Sequence, residues 1–189
     1  SENYPFCTID PNIGIVEVPD KRLDNIAQAV NPQEVTPTTI EFVDIAGLVE
    51  GANEGEGLGN KFLGNIREVD AIIHVVRCFE DENITHVEGS VNPARDIEII
   101  ETELMLADLE SVSSRKEKVE KKVKADKEGY EEQLKVLTRI ENALEAGKPA
   151  RTLDLSSREK EQVKDLNLLT LKPVLYAANV SEDEIGTEN

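Results

Sequence analysis

From Asn92 onward the apolar residues Ile97, Ile100, Leu104, Leu109, Val112, Val119 and Val123 recur mostly at steps of three and four, the period of one helix face. Asn92-Pro93 opens the run well. An asparagine side chain can accept from a first-turn amide, and proline at the first helical position loses nothing by lacking an N–H. The pattern lapses around Asp126 to Gly129, resumes with Tyr130, Leu134, Leu137, Ile140 and Leu144, and stops at Gly147-Lys-Pro149. It predicts a long helix and a second helix antiparallel to it. A third, short helix is expected after Ser156, because Ser156-Ser-Arg-Glu159 has the form of a capping box.

The sequence on either side of this hairpin has a different period. Ile13-Gly-Ile-Val-Glu-Val18 and Thr38-Thr-Ile-Glu-Phe-Val-Asp44 read as strands. Between them Asp20 can cap a short helix carrying Leu23, Ile26 and Val30, ended by Asn31-Pro32. A glycine-rich stretch, Gly47 to Gly59, runs into a helix bearing Phe62, Leu63 and Ile66, while Ala71 to Arg77 and Lys172 to Ala178 have the texture of buried strands. Strands alternating with helices form an α/β pattern. The expected organisation is an α/β domain built from 1–95 and 169–189, interrupted by a helical insertion at 96–168.

Charge divides along the same lines. The 189 residues hold 21 Lys and Arg against 39 Asp and Glu, a net charge of −18, which argues against a broadly basic nucleic-acid binder and against an anionic membrane surface. Residues 1–95 carry 17 acids and 6 bases. Within the insertion, 96–112 has six acids and no base, yet seven bases cluster in 115–127: Arg115, Lys116, Lys118, Lys121, Lys122, Lys124 and Lys127. Only that far end of the hairpin has the charge to touch RNA. The bland reading of the cluster is a solvated tip laced by Glu117–Lys121 and Glu120–Lys124 pairs.

Two cysteines, Cys7 and Cys78, cannot build a disulfide framework, and no paired zinc-ligand spacing occurs. The apolar runs are short and the first residues lack the pattern of a signal peptide, so the expectation is a cytoplasmic protein with no membrane partner.

Three short constellations can carry chemistry. Phe42-Val-Asp44-Ile-Ala-Gly47 puts an aspartate at the end of a strand and a glycine three residues on. Such an aspartate can hold magnesium through water, and the glycine lets its N–H approach a γ-phosphate. Taken alone, the string also describes a strand ending in a turn. Asn179-Val180-Ser-Glu182 follows the strand at 172–178 and stands where guanine-specific proteins carry Asn-Lys-x-Asp. There a carboxylate accepts both N1–H and N2–H₂ of guanine; Glu182 is one methylene longer, which puts that fit in doubt. The third is the loop Asn3 to Gly14, where the Thr8 hydroxyl could ligate magnesium. Gly55-Glu-Gly-Leu-Gly59 lacks the spacing of a dinucleotide fingerprint.

In this order, with the hairpin between the second and third strings, the chain resembles the Obg-like ATPases of the YchF type, a branch of the translation-factor-related P-loop NTPases. The resemblance rests on Asn3 to Asn12, Phe42 to Leu48, Gly55 to Leu63, His74 to Glu80 and Lys172 to Glu182. It implies an incomplete G-domain, an α/β three-layer sandwich of the P-loop NTPase kind with an inserted helical hairpin. It also implies ATP, or GTP, with magnesium. Thr8 becomes the switch I magnesium ligand, Asp44 the water-mediated magnesium partner and Gly47 the γ-phosphate amide. Asn179, Val180 and Glu182 become the base-reading loop, and Gly55 to Gly59 a switch II segment. Leu48 stands where many relatives have a glutamine that orients the attacking water, so another group must do so.

His86, in the loop after the strand at 71–77, is the catalytic candidate, against the alternative of a plain surface histidine. His74, within that strand, is expected to be structural. No Gly-x-x-x-x-Gly-Lys-Ser/Thr occurs, and the family's TGS domain is absent as well. The chain is therefore expected to be an internal fragment, inactive alone, of an ATP-hydrolysing switch protein associated with the ribosome. The alternatives are a non-enzymatic interaction module acting through the hairpin, and a GTP-specific enzyme.

Overall fold

The computed structural model describes residues 12–45, 58–81, 83–86, 88–124 and 127–186, with side chains for all of these except 58–61, 127 and 128. The chain divides into two compact units, one formed by 6–46 and the other by 1–5 with 47–189.

The smaller unit holds two strands and a helix. β1 (Asn12–Glu17) and β2 (Thr39–Asp44) pair antiparallel, with Asn12 opposite Asp44 and Glu17 opposite Thr39. Between them α1 (Lys21–Val30) begins at Asp20, whose carboxylate accepts from the Arg22 amide at 2.8 Å, and ends at Asn31, which takes the left-handed conformation with φ 45°. Asparagine tolerates that conformation better than a branched residue. The two strands and α1 leave Ile13, Ile15, Ile26, Ile40 and Phe42 exposed.

In the larger unit α2 (Leu58–Glu68) leads into β3 (Ile72–Arg77), which pairs parallel with β4 (Val174–Asn179). The register sets Ile72 against Val174 and Arg77 against Asn179, so both strands end at the same edge. The texture of both strands predicts burial on two faces, and the structure departs from this. His74 and Tyr176 face α3 (Pro93–Val123), with the Tyr176 hydroxyl 3.0 Å from Glu101 Oε1, whereas Ile73, Val75 and Leu175 on the opposite face are exposed. Among the described residues the face of Ile73, Val75 and Leu175 is open and the other is covered only in part, Tyr176 being as exposed as Ile73.

The hairpin is as expected. α3 is capped by Asn92, which accepts from the Arg95 amide, with Pro93 in its first turn. α4 (Lys127–Glu145) returns alongside it, and Gly147 follows at φ 68°. α5 (Ser157–Val163) starts at the Ser156–Glu159 capping box. Val112 and Val119 on α3 meet Val136, Leu137, Ile140 and Leu144 on α4, and Ala150, Leu155, Val163 and Leu168 close the cluster. This is the main core of the unit. No helix among the described residues is long and apolar enough to cross a membrane.

Candidate nucleotide site

In an open α/β sheet, ligands bind beyond the carboxyl ends of the strands, and β4 ends at such an edge on the sequence candidate Asn179, beside the end of β3. Asn179 is the last residue of β4 and Arg77 the last of β3. The Cys78 amide extends the ladder by donating to the Asn179 carbonyl at 2.8 Å. Beyond Asn179 the chain passes Val180, half-buried, and enters a short turn at Glu182–Glu184. Ser181 caps that turn: the Glu184 carboxylate accepts from the Ser181 amide at 3.1 Å and from its hydroxyl at 2.7 Å. These bonds hold the Glu184 carboxyl below its ordinary range. Glu184 is therefore occupied locally, whereas Glu182, at the first position of the turn, is exposed. The arrangement presents Asn179 and Glu182 on one short stretch after the strand.

The loop after β3 is organised by Arg77. Its guanidinium donates to the carbonyls of Phe79 at 3.0 Å, Ile84 at 3.1 Å and Asp81 at 3.3 Å, and lies 4.8 Å from the centre of the Phe79 ring. That fixes the path leading to His86. The His86 ring is engaged at both nitrogens: Nε2 lies 3.0 Å from Asp96 Oδ2 in the first turn of α3, and Nδ1 accepts from the Glu88 amide at 3.1 Å. His74 is half-buried, and burial pushes its imidazole below the ordinary value, against the upward pull of Glu101 and Asp96.

Asp44 ends β2 with its side chain exposed and has no partner among the described residues. An unpaired, exposed carboxylate suits a hard cation such as magnesium, which takes oxygen ligands and keeps several waters. Thr8, Gly47 and Leu48 lie outside the described residues. Among the described residues no three His, Cys, Asp or Glu side chains gather as a self-contained metal site.

The basic end of the hairpin separates into engaged and free cations. Arg115 pairs with Asp165 at 2.7 Å, Lys116 with Glu141 across the hairpin, and Lys122 sits 5.0 Å over the Tyr130 ring. The expected Glu117–Lys121 and Glu120–Lys124 pairs are not formed; Lys118, Lys121 and Lys124 are exposed with no ion pair among the described residues. The Lys127 side chain lies outside the described residues.

Sequence reading missed the buried polar ties around α3. Asp108, with no exposed surface, accepts from the Leu169 amide at 2.9 Å and from the Thr170 amide and hydroxyl at 2.7 Å each. Arg67 on α2 lies 3.7 Å from the same carboxylate and also donates to Ser111 Oγ and to the carbonyls of Leu166 and Asn167. Burial pushes the Asp108 carboxyl up, while the Thr170, Leu169 and Arg67 groups pull it back. One signal was available in the sequence: Asp108 falls on the apolar stripe, four residues from both Leu104 and Val112.

Parallel strands ending at a shared edge, with helices following them, fit an α/β domain of the G-domain class, and comparison with known proteins shows that class. Residues 1–106 match the family of 50S ribosome-binding GTPases, and the chain belongs to that family. It is similar to the ribosome-binding ATPase YchF of Bacillus subtilis (strain 168), 54% identical over 193 aligned residues that take in 100% of this chain and 53% of that protein. It is also similar to the ribosome-binding ATPase YchF of Escherichia coli O157:H7, 56% identical over 187 residues, 99% of this chain and 51% of that one. The solved structure of the Schizosaccharomyces pombe YchF GTPase aligns with a TM-score of 0.72 at 42% identity, over 97% of this chain and 50% of that chain. The chain spans about half the length of these relatives.

Proposed function

We propose that this chain is the switch, helical and base-reading portion of a cytoplasmic ATP-hydrolysing protein that works with the ribosome. The reading is supported by β3 and β4 ending together, with the Cys78 amide on the Asn179 carbonyl at 2.8 Å, in a chain of the 50S ribosome-binding GTPase family. Asn179 and Glu182 read the base, with the half-buried Val180 on the same stretch. Asp44 and Thr8 hold the magnesium, which supplies charge neutralisation at the phosphates when bound. Gly47 offers its amide to the γ-phosphate, and His86 orients the water that attacks it.

The printed names of the relatives differ, ATPase for the bacterial proteins and GTPase for the yeast structure. Adenine is favoured here on chemical grounds. The two-donor fit to guanine takes the shorter aspartate, and Glu182 is one methylene longer; adenine carries a lone pair at N1, so reading it requires this carboxylate to stand off that position. Measuring hydrolysis of ATP and GTP by the full-length protein tests this. His86→Ala should cut turnover while sparing ATP affinity, and unchanged turnover refutes the catalytic role. The 189 residues alone, without a Gly-x-x-x-x-Gly-Lys-Ser/Thr string, should bind ATP very weakly; micromolar binding by calorimetry would contradict this.

A second reading is favoured by Lys118, Lys121 and Lys124, exposed and without an ion pair among the described residues: the hairpin end is a phosphate-contacting prong for ribosomal RNA, to which Arg115, Lys116, Lys122 and Lys127 add charge. Reversing the charge at Lys118, Lys121 and Lys122 should weaken ribosome association and flatten its salt dependence. Unchanged association would return the tip to a solvated surface.

A further inference from the structure

We propose that Asp96 is the positioning residue for His86, fixing its tautomer so that Nδ1 is the nitrogen offered to water. The inference rests on the catalytic reading of His86 given above. Asp96 stands in the first turn of α3, where the positive end of the helix dipole favours a carboxylate. One of its oxygens is gripped by Arg95, with Nε at 3.1 Å and Nη2 at 3.0 Å, and the other faces His86 Nε2 at 3.0 Å. His86 and Asp96 keep only 16% and 18% of their side-chain surface exposed, so water competes weakly for the contact.

A carboxylate only accepts, so Nε2 carries the proton. Nδ1 is then the lone-pair nitrogen, and it accepts from the Glu88 amide as that assignment requires. The two bonds differ in strength. The Asp96 contact is charge-assisted and mostly buried, whereas the Glu88 contact is neutral and exposed, and its amide can turn to solvent at little cost. Under competition from a water, the ring surrenders the Glu88 amide first and keeps Asp96.

A water O–H bond breaks and its proton goes to Nδ1. The oxygen pair bonds the γ-phosphorus, and the bond to the bridging oxygen breaks with its electrons leaving on the nucleoside diphosphate. The imidazolium so formed has Asp96 on its far side, the arrangement by which a carboxylate steadies a histidine base.

The test uses the full-length protein and compares His86→Ala, Asp96→Asn and Asp96→Glu for kcat, ATP affinity and the ¹⁵N shifts of the His86 ring. Asp96→Asn should lower kcat by about 10- to 10³-fold with ATP affinity unchanged, and Asp96→Glu should recover part of the loss. The wild-type ring should show the Nε2–H tautomer, and the Asn variant a mixture. If His86→Ala lowers kcat but Asp96→Asn does not, the positioning role is overturned and the catalytic reading stands. If His86→Ala has no effect, the catalytic reading itself falls. An Nδ1–H tautomer in the wild type overturns the proposal regardless of how the variants fold, as does an Asp96→Asn variant that loses ATP affinity in step with kcat.

Discussion

Thr170→Val removes one hydroxyl from a buried relay and changes almost nothing in shape. Thr170 has no exposed surface; its Oγ1 accepts from the Ala150 amide at 3.1 Å and donates to Asp108 Oδ2 at 2.7 Å. Ala150 and Asp108 are themselves without exposed surface. With valine, the Ala150 amide is left a buried donor with no acceptor, which costs about 1–3 kcal/mol. Asp108 Oδ2 keeps the Thr170 amide at 2.7 Å but loses a charge-assisted partner, about 1.5 kcal/mol more. The valine methyl returns part of this by apolar burial, leaving a net destabilisation of about 2–4 kcal/mol. For a chain of this size that is roughly 5–15 °C in Tm. The Asp108 carboxyl should move up further, since one of the groups pulling it down is gone. Urea unfolding gives the magnitude, and hydrogen exchange at the Ala150 amide localises it. Thr170→Ser keeps the hydroxyl and should lose only a methyl's worth, about 1 kcal/mol. A valine variant within about 0.5 kcal/mol of wild type, or a serine variant as damaged as the valine one, would refute the relay.

Leu137, fully buried where α3 meets α4, should cost about 2–5 kcal/mol on truncation to alanine, read by urea unfolding. His74 gives a pH dependence. Its folded pKa lies below the ordinary value because of burial, so in the window below about 6.5 the unfolded chain binds a proton that the folded one does not. Stability present above the unfolded pKa is therefore lost as pH falls through that window, and the loss should be smaller in His74→Leu when the two unfolding curves are compared at pH 7.5 and 5.5. Glu182→Asp shortens the exposed carboxylate by one methylene and should move nucleotide competition on the full-length protein toward GTP; an unaltered ATP to GTP ratio would remove Glu182 from base reading.

The elements that the sequence revealed are those whose causes are local. Asn92, Asp20 and the Ser156–Glu159 box lie within three residues of the amides they cap, and Gly147 supplies a positive φ where the hairpin ends. The Asn179–Glu182 candidates rest on local signal too, being four consecutive residues after a strand. Asp108 was not: its partners lie 61 and 62 residues away, and in sequence it is one acid among six in a stretch that reads as solvated. The grip of Asp96 on His86 spans ten residues and depends on how the loop folds back over the helix start. The absent Glu117–Lys121 and Glu120–Lys124 pairs have the opposite explanation. Local spacing permits them, but such exposed contacts gain a few tenths of a kcal/mol at most, too little to hold two long side chains in one place.

The long-range ties share one consequence for α2. The carbonyls of Arg67 in its last turn and of Val69 just past its end accept from Lys172 Nζ at 3.1 and 2.6 Å, the place where a cation best complements a helix end. Burial lowers the Lys172 ammonium below its ordinary value, with Asp70 and Asp108 opposing, so its charge is held by these oxygens and not by bulk water. The Arg67 side chain meanwhile reaches the other way, to Ser111 on α3 and to the carbonyls of Leu166 and Asn167. One residue therefore joins the helix that follows the glycine-rich stretch to the helix that bears the basic tip. A sliding of α2 along α3 breaks the Arg67 and Lys172 bonds together and leaves two cations short of acceptors beside the buried Asp108.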